Sequence, residues 1–412
     1  MKKVNSLVAF AVCCFLSGSI ACAPFTPFFA SPESSGAIAT ASSSSVSSDT
    51  DTPAPSAPGP SDTTELTSSL AEPSGAAEPD STLPSGDYAS PTPAISGRQL
   101  GYGAWVPYWD YTDAIDELDQ IGSSLSDVVC FAAIFNSSDE VFLLPEAQEA
   151  QTCLNILYSD EHTIYLSVVN DVEMDDSVYD NKSIDLLWRL LGTDAAMNAH
   201  IENLMQVLHE SNAEGLEIDY EAIRADTGLC TRYALFVERL LQRTSSEGIP
   251  LRVVLSWDSA LYATFPEGPQ YSIMCYNLYG THSGPGPKAD RSFLEKVFSI
   301  NHALPGQPAI AFATGGFDWS GDGTIVSLSQ SEAVALQKEF AVPADGISRD
   351  EASQVLFYRY TDDQGLSHEV WYADGTTLAF WRSLGVNAGY VNFDLFRLGG
   401  NSLSDLSAFF NG

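Results

Sequence analysis

Basic residues are scarce in this chain. Its 412 residues include 18 Lys and Arg against 54 Asp and Glu, a formal net charge of -36. Polyanions are held by positive surfaces. The balance therefore argues against nucleic acid and against electrostatic attraction to anionic lipids or teichoic polymers. A neutral or cationic ligand fits better. Histidine is also sparse: the six present form no HExxH or comparable ligand spacing. The seven cysteines match no zinc pattern. No metal or other cofactor is expected. No repeat of solenoid type is visible either.

Between Lys3 and Arg98 there is no Lys or Arg. The start, Met1-Lys2-Lys3, is followed by an apolar stretch from Leu7 to Cys22. It is short for a membrane span and typical of a secretory signal. Ser19-Ile20-Ala21-Cys22 resembles a bacterial lipobox, with Ser19 where that motif usually has an aliphatic residue. Residues 1–22 are thus expected to be a signal with Cys22 as lipidation site; plain secretion is the alternative. Residues 23–97 are rich in Ser, Thr, Pro and Ala. They hold too little apolar surface to offset their ordering entropy and read as a flexible, mildly acidic tether. The expected setting is the bacterial cell surface, with membrane contact only through a lipid anchor.

Residues 98–412 are long enough for one large core, expected to act as a monomer. Apolar, β-rich segments at 101–109, 127–134, 163–169, 215–221, 251–257, 271–278, 309–314 and 389–395 read as strands. Helical spacing recurs between them, as at 145–158, 184–191, 195–212 and 229–246. About eight βα units predict an α/β fold, a closed (β/α)8 TIM barrel. The stretch between the seventh and eighth strands is too long for a loop. A hairpin at 355–360 and 368–372 predicts a small α+β insertion there. Cys130 and Cys275 fall in predicted buried strands and read as small apolar residues.

The most informative run is Glu214-Gly215-Leu216-Glu217-Ile218-Asp219-Tyr220-Glu221. In a strand, Leu216, Ile218 and Tyr220 face one way, and Glu217, Asp219 and Glu221 the other. An ordinary solvent-facing edge strand has the same alternation. The helical patterns on both sides favour a buried βα strand instead. Its carboxylates then stand at the end where barrel enzymes place catalysis. Like charges held together push pKa values apart, which suits an acid beside an ionised partner.

Aromatic and polar groups recur at the ends of the other strands. They are Tyr108 and Trp109 on the first, Trp257 and Asp258 on the fifth, and Met274-Cys275-Tyr276-Asn277 on the sixth. The seventh leads into Gly315-Gly316-Phe317-Asp318-Trp319. One such aromatic is usually packing. Several at one end of successive strands predict a cleft that stacks on sugar rings.

Together these residues resemble glycoside hydrolase family 18. The run 214–221 stands for its fourth-strand D-G-x-D-x-D-x-E signature. Met274-Cys275-Tyr276-Asn277 is similar to its sixth-strand pattern. Phe317-Asp318-Trp319 and His368-Glu369-Val370-Trp371-Tyr372 are similar to a branch of spore-cortex and cell-wall N-acetylglucosaminidases. The resemblance implies hydrolysis of β-1,4-linked N-acetylglucosamine glycans, peptidoglycan or chitin, assisted by the substrate's own acetamido group. It implies Glu221 as acid and base, Asp219 as the acetamide partner, and Glu217 as tuner of Asp219. It also implies Tyr276 and Asn277 as acetamide ligands. Glu214 and Glu217 replace Asp of the pattern. The tryptophan of the sugar-site floor on strand eight is missing, with Phe393 or Phe396 in its place. A non-catalytic, lectin-like barrel is the alternative.

Overall fold

The computed structural model describes residues 99–175 and 178–411. The signal, lipobox and tether readings lie outside them. Eight strands form the barrel: Gly101–Pro107, Asp127–Asn136, Thr163–Asp175, Gly215–Asp219, Leu251–Ser256, Gln270–Met274, Ala309–Ala313 and Asn392–Phe396. Each pairs in parallel with the next, and the eighth pairs with the first, which closes the cylinder. The sheet is the TIM barrel its strand and helix alternation predicts.

Alternation explains how the barrel is filled. Leu216, Ile218 and Tyr220 face outward into the main core, beside Leu204, Leu208 and Phe236 of the flanking helices. Full burial of such side chains contributes about 1.5–3 kcal/mol each. The opposite face of the sheet carries a smaller core of Trp105, Val129, Tyr165, Val254, Met274 and Ala311. Cys130 and Cys275 are buried apolar fillers, as expected. Helix starts are set by short polar side chains. Asp226 accepts from the Gly228 and Leu229 amides, and Ser329 with Glu332 forms a capping box. A cap of this kind is worth about 1 kcal/mol.

The insertion is larger than a hairpin. Five antiparallel strands lie in the order Ile325–Leu328, Gly315–Ser320, Ser367–Ala373, Leu356–Thr361 and Ser348–Arg349. One face packs Tyr358, Val370 and Tyr372 around Ala333 and Leu336 of helix Gln330–Glu339. That helix supplies the second layer a sheet of this size needs.

Among the described residues no helix is long and apolar enough to cross a membrane.

Candidate active site

The fourth barrel strand ends at Asp219, two residues earlier than predicted. Ala222 then takes a positive φ of 62° and turns the chain into the short helix Ile223–Ala225. Glu217 and Asp219 remain on the inner face, and Glu221 stands just past the strand end. Asn170, on the third strand, pins that end. Its Oδ1 accepts from the Glu221 amide at 2.8 Å, and its Nδ2 donates to the Glu221 carbonyl at 3.2 Å.

The three carboxylates have different surroundings. Glu217 is fully buried. It accepts from Trp105 Nε1 at 2.7 Å on one oxygen and from Arg252 Nε at 2.9 Å on the other. Burial holds Glu217 above the usual carboxylate range, against the downward pull of Arg252, Trp105 and Ser167. Asp219 is also buried, but its Oδ1 has no hydrogen-bond partner. Burial first, then the charges of Glu221 and Glu217, hold Asp219 well above the usual carboxylate range. Glu221 is partly open, and Lys182 Nζ lies 2.7 Å from its Oε1. Lys182 sits at a positive φ of 56°, past the third strand's hairpin, with its amide bonded to Asp171 Oδ1 at 2.7 Å. Close carboxylates in graded environments are how one site keeps an acid and a base at the same pH.

Tyr276 faces this trio. Burial, then the charges of Asp219, Glu221 and Glu217, push its hydroxyl up, so it stays a donor. Phe396 stacks on Tyr276, with ring centroids 5.9 Å apart, and meets Phe131 edge-on at 5.8 Å. Trp109, half exposed, meets Phe131 edge-on at 5.9 Å and Tyr108 at 5.0 Å. Of the two phenylalanines in the expected floor region, Phe396 is in this aromatic group and Phe393 is in the outer core. Cis peptide bonds join Phe131 to Ala132 and Phe396 to Arg397. Asn277 follows Tyr276, its amide near Met274 Sδ at 3.7 Å.

Three expected binding residues do not join this group. Trp257 follows Val253 and Leu255 onto the outer face. It packs on Phe293 at 5.7 Å, with Lys296 Nζ 4.6 Å above its ring. Asp318 lies on the helix-covered face of the insertion sheet, taken up by His368 and Tyr360. Trp319 is buried, with its indole N–H donating to the Ser283 carbonyl. Asp258, by contrast, is buried near the strand-four turn and ion-pairs with Arg224 at 2.7 Å.

Arg252, Asp394, Lys182 and Asn170 also carry the site's geometry, and the strand-end reading of the sequence passes over them. Arg252 has a signal, a lone charge inside the apolar run Leu251-Arg252-Val253-Val254-Leu255. In a buried strand that pattern calls for a buried partner. A side chain at Gly103 would strike Asp394 Oδ1 at 2.4 Å, and one at Gly215 would strike the Tyr165 ring at 2.3 Å. Both glycines clear space for interior groups. Among the described residues no His, Cys, Asp and Glu cluster could hold a metal.

No family model matches the chain. It is 25% identical over 209 residues to the putative sporulation-specific glycosylase YdhD of Bacillus subtilis, covering 47% of this chain and 48% of that protein. It is 25% identical over 256 residues to the cortical fragment-lytic enzyme of Bacillus anthracis, covering 57% and 56%. The chain thus spans about half the length of the curated relatives it matches. The crystal structure of the Bacillus cereus spore cortex-lytic enzyme SleL superposes with a TM-score of 0.62 at 18% identity, covering 76% and 74%. A Chromobacterium violaceum chitinase does so at 0.60 and 19%, covering 76% and 96%. The chain is therefore similar in sequence to sporulation and cortex-lytic proteins and in fold to chitinases, the resemblance to glycoside hydrolase family 18 that its strand-four motif carries.

Proposed function

We propose that the protein is a glycoside hydrolase that cleaves β-1,4-linked N-acetylglucosamine glycans, peptidoglycan or chitin, outside the cell. The observation that carries this reading is the buried Asp219, with one oxygen unpartnered, within electrostatic reach of Glu221 and Tyr276. Glu221 protonates the leaving glycosidic oxygen and later activates water. The substrate's acetamido oxygen attacks the anomeric carbon, so no protein nucleophile is needed. Asp219 takes the acetamide N–H on its unpartnered oxygen. Tyr276 donates to the acetamide oxygen, and Phe396 offers an apolar floor for the sugar ring. Donors and charges already in place cost little reorganisation as charge develops.

The names of the matched proteins, glycosylase, cortex-lytic enzyme and chitinase, support glycan chemistry. Peptidoglycan is favoured over chitin by the sporulation and cortex names. Export through the 1–22 signal and anchoring at Cys22 belong to the same proposal.

One observation favours the lectin-like reading. Lys182 occupies an oxygen of Glu221. Such a pair holds Glu221 as a carboxylate and is given up when Glu221 takes the acid's proton, whereas a binding barrel can keep it.

The deciding experiment is hydrolysis of a chromogenic N,N′-diacetylchitobioside and of purified peptidoglycan by the wild type and Glu221→Gln. Turnover lost in the variant supports the enzyme. Equal inertness on both substrates with retained glycan binding establishes the lectin.

A further inference from the structure

Beneath the cleft the barrel interior is charged. Arg252 has no solvent exposure and reaches carboxylates from three other strands. Nε donates to Glu217 at 2.9 Å, Nη2 donates to Asp394 at 2.8 Å, and Nη1 lies 3.4 Å from Asp127. Its guanidinium carbon is 5.6 and 5.4 Å from the ring centroids of Trp105 and Tyr165. Ser272 donates to the same Asp394 oxygen at 2.6 Å. Both oxygens of Glu217 therefore face donors, a guanidinium and an indole, that do not release their protons at working pH. Asp219 has the opposite setting, with a buried oxygen that nothing donates to.

We propose that Arg252 is a positioning residue. It fixes Glu217 as the charged, proton-free member of the carboxylate trio and so confines the labile proton to Asp219 and Glu221. The catalytic consequence rests on the glycosidase reading above; the proton assignment does not. The step is a single transfer, from the Asp219 carboxyl to the Glu221 carboxylate. It leaves Asp219 charged, to accept the acetamide N–H, and Glu221 protonated, to act as acid.

Other charges bear on the trio. Asp127 and Asp394 face Arg252 from the second and eighth strands. Tyr165 and Asp171 come from the third strand and Tyr276 from beyond the sixth. Lys182 is the cation on the open side. None of these donates to Glu217; beside Arg252 and Trp105 only the neutral Ser167 hydroxyl of the third strand acts on its carboxylate, so Arg252 is the one cation that holds it.

The test is a carboxyl carbon-13 NMR titration of the full chain, with Glu217→Gln and Asp219→Asn used for assignment. In the wild type the Glu217 signal is expected to titrate below that of Asp219. Arg252→Lys keeps one charge but loses the fork. In it, the Glu217 curve should move up in pH towards that of Asp219. Joint titration of Glu217 and Asp219 in the wild type would overturn the proposal, as would an unmoved Glu217 curve in Arg252→Lys.

The activity arm compares kcat/KM against pH. Arg252→Lys should lose on the order of 10- to 100-fold in kcat with KM held, and its low-pH limb should move up. The double variant Arg252→Lys/Glu217→Gln keeps a cation for Asp394 and Asp127. It should fall no further than Glu217→Gln alone, because the Glu217 bond through which Arg252 acts is then gone. Losses that multiply would show that Arg252 acts by another route. The titration needs no turnover, so an inactive wild type would sink the glycosidase reading while the proton assignment is still decided by NMR.

Discussion

Asp219 in the barrel and Asp318 in the insertion are buried to nearly the same degree, 8% and 5% exposed. Their environments are opposite. Asp318 is saturated: His368 Nδ1 lies 2.9 Å from Oδ2 and the Tyr360 hydroxyl donates to it at 2.6 Å, while His368 and Tyr360 stack at 4.5 Å. Asp219 has a bare oxygen and two like charges nearby. A buried acid whose bonds are complete belongs to the architecture. One left incomplete is poised for a ligand that completes it.

Breaking this contrast should have unequal effects. The largest is expected from Asp219→Asn, which should lower kcat on the order of 100- to 1,000-fold, read on the chromogenic disaccharide. Asp318→Asn should leave kcat within about 2-fold of the wild type. A kcat loss in Asp318→Asn matching that in Asp219→Asn would end the contrast.

Two aromatic side chains, one inside the cleft and one outside it, sharpen it next. Phe396→Ala should raise KM on the order of 10-fold, measured with chito-oligosaccharides. Trp257→Ala should leave KM alone and cost ~2 kcal/mol of stability, because its half-buried ring packs on Phe293 outside the cleft. A raised KM in Trp257→Ala would return that ring to the sugar site.

Stability should then divide the aspartates with opposite signs. Asp318→Asn weakens the bonds from His368 and Tyr360 and should cost about 1–3 kcal/mol in denaturant titration. Asp219→Asn removes a buried carboxylate with an unpartnered oxygen and should stabilise. The pH dependence follows from the raised Asp219 value. The folded protein keeps a proton that the unfolded chain releases at about pH 3.9. Stability from this group is full below that pH and is lost as pH rises through the folded value. Melting temperatures of Asp219→Asn and wild type should therefore agree near about pH 4 and separate at neutral pH, with the variant higher. Curves that stay parallel would mean that Asp219 is not the titrating group.

A smaller effect concerns Lys288, whose ammonium donates to the Thr314 carbonyl. Burial, then Arg397, pulls it down to about 7. The fold carries a charge penalty below that value, so stability should rise with pH from about 7 towards the ordinary Lys value of about 10.4. Lys288→Met should flatten that rise in thermal melts.

Much of this architecture is legible in the amino-acid order. The barrel is visible because each strand and helix has its own hydrophobic period. Glu217, Asp219 and Glu221 are visible because a period of two places them together. Trp257 is misplaced when every strand end is treated as a cleft wall. Counting on from Val253 and Leu255 sends it outward. Asp318 is misplaced because the α+β insertion is legible but the face of its sheet that the helix covers is not, and Asp318 stands on that face. Arg252 escapes notice for a deeper reason. Its partners Glu217, Asp127 and Asp394 lie 35, 125 and 142 positions away, and only closure of the sheet brings them together.

The missing side chain at Gly103 has a consequence for how such a protein changes over generations. Its space is taken by Asp394, which holds Arg252, which holds Glu217. A methyl group at 103 would have to displace a carboxylate carried by the strand that closes the ring. Four positions on four strands are thereby tied into one unit of inheritance. A lineage can exchange them together, passing through a neutral interior, but each single step on its own leaves a charge stranded.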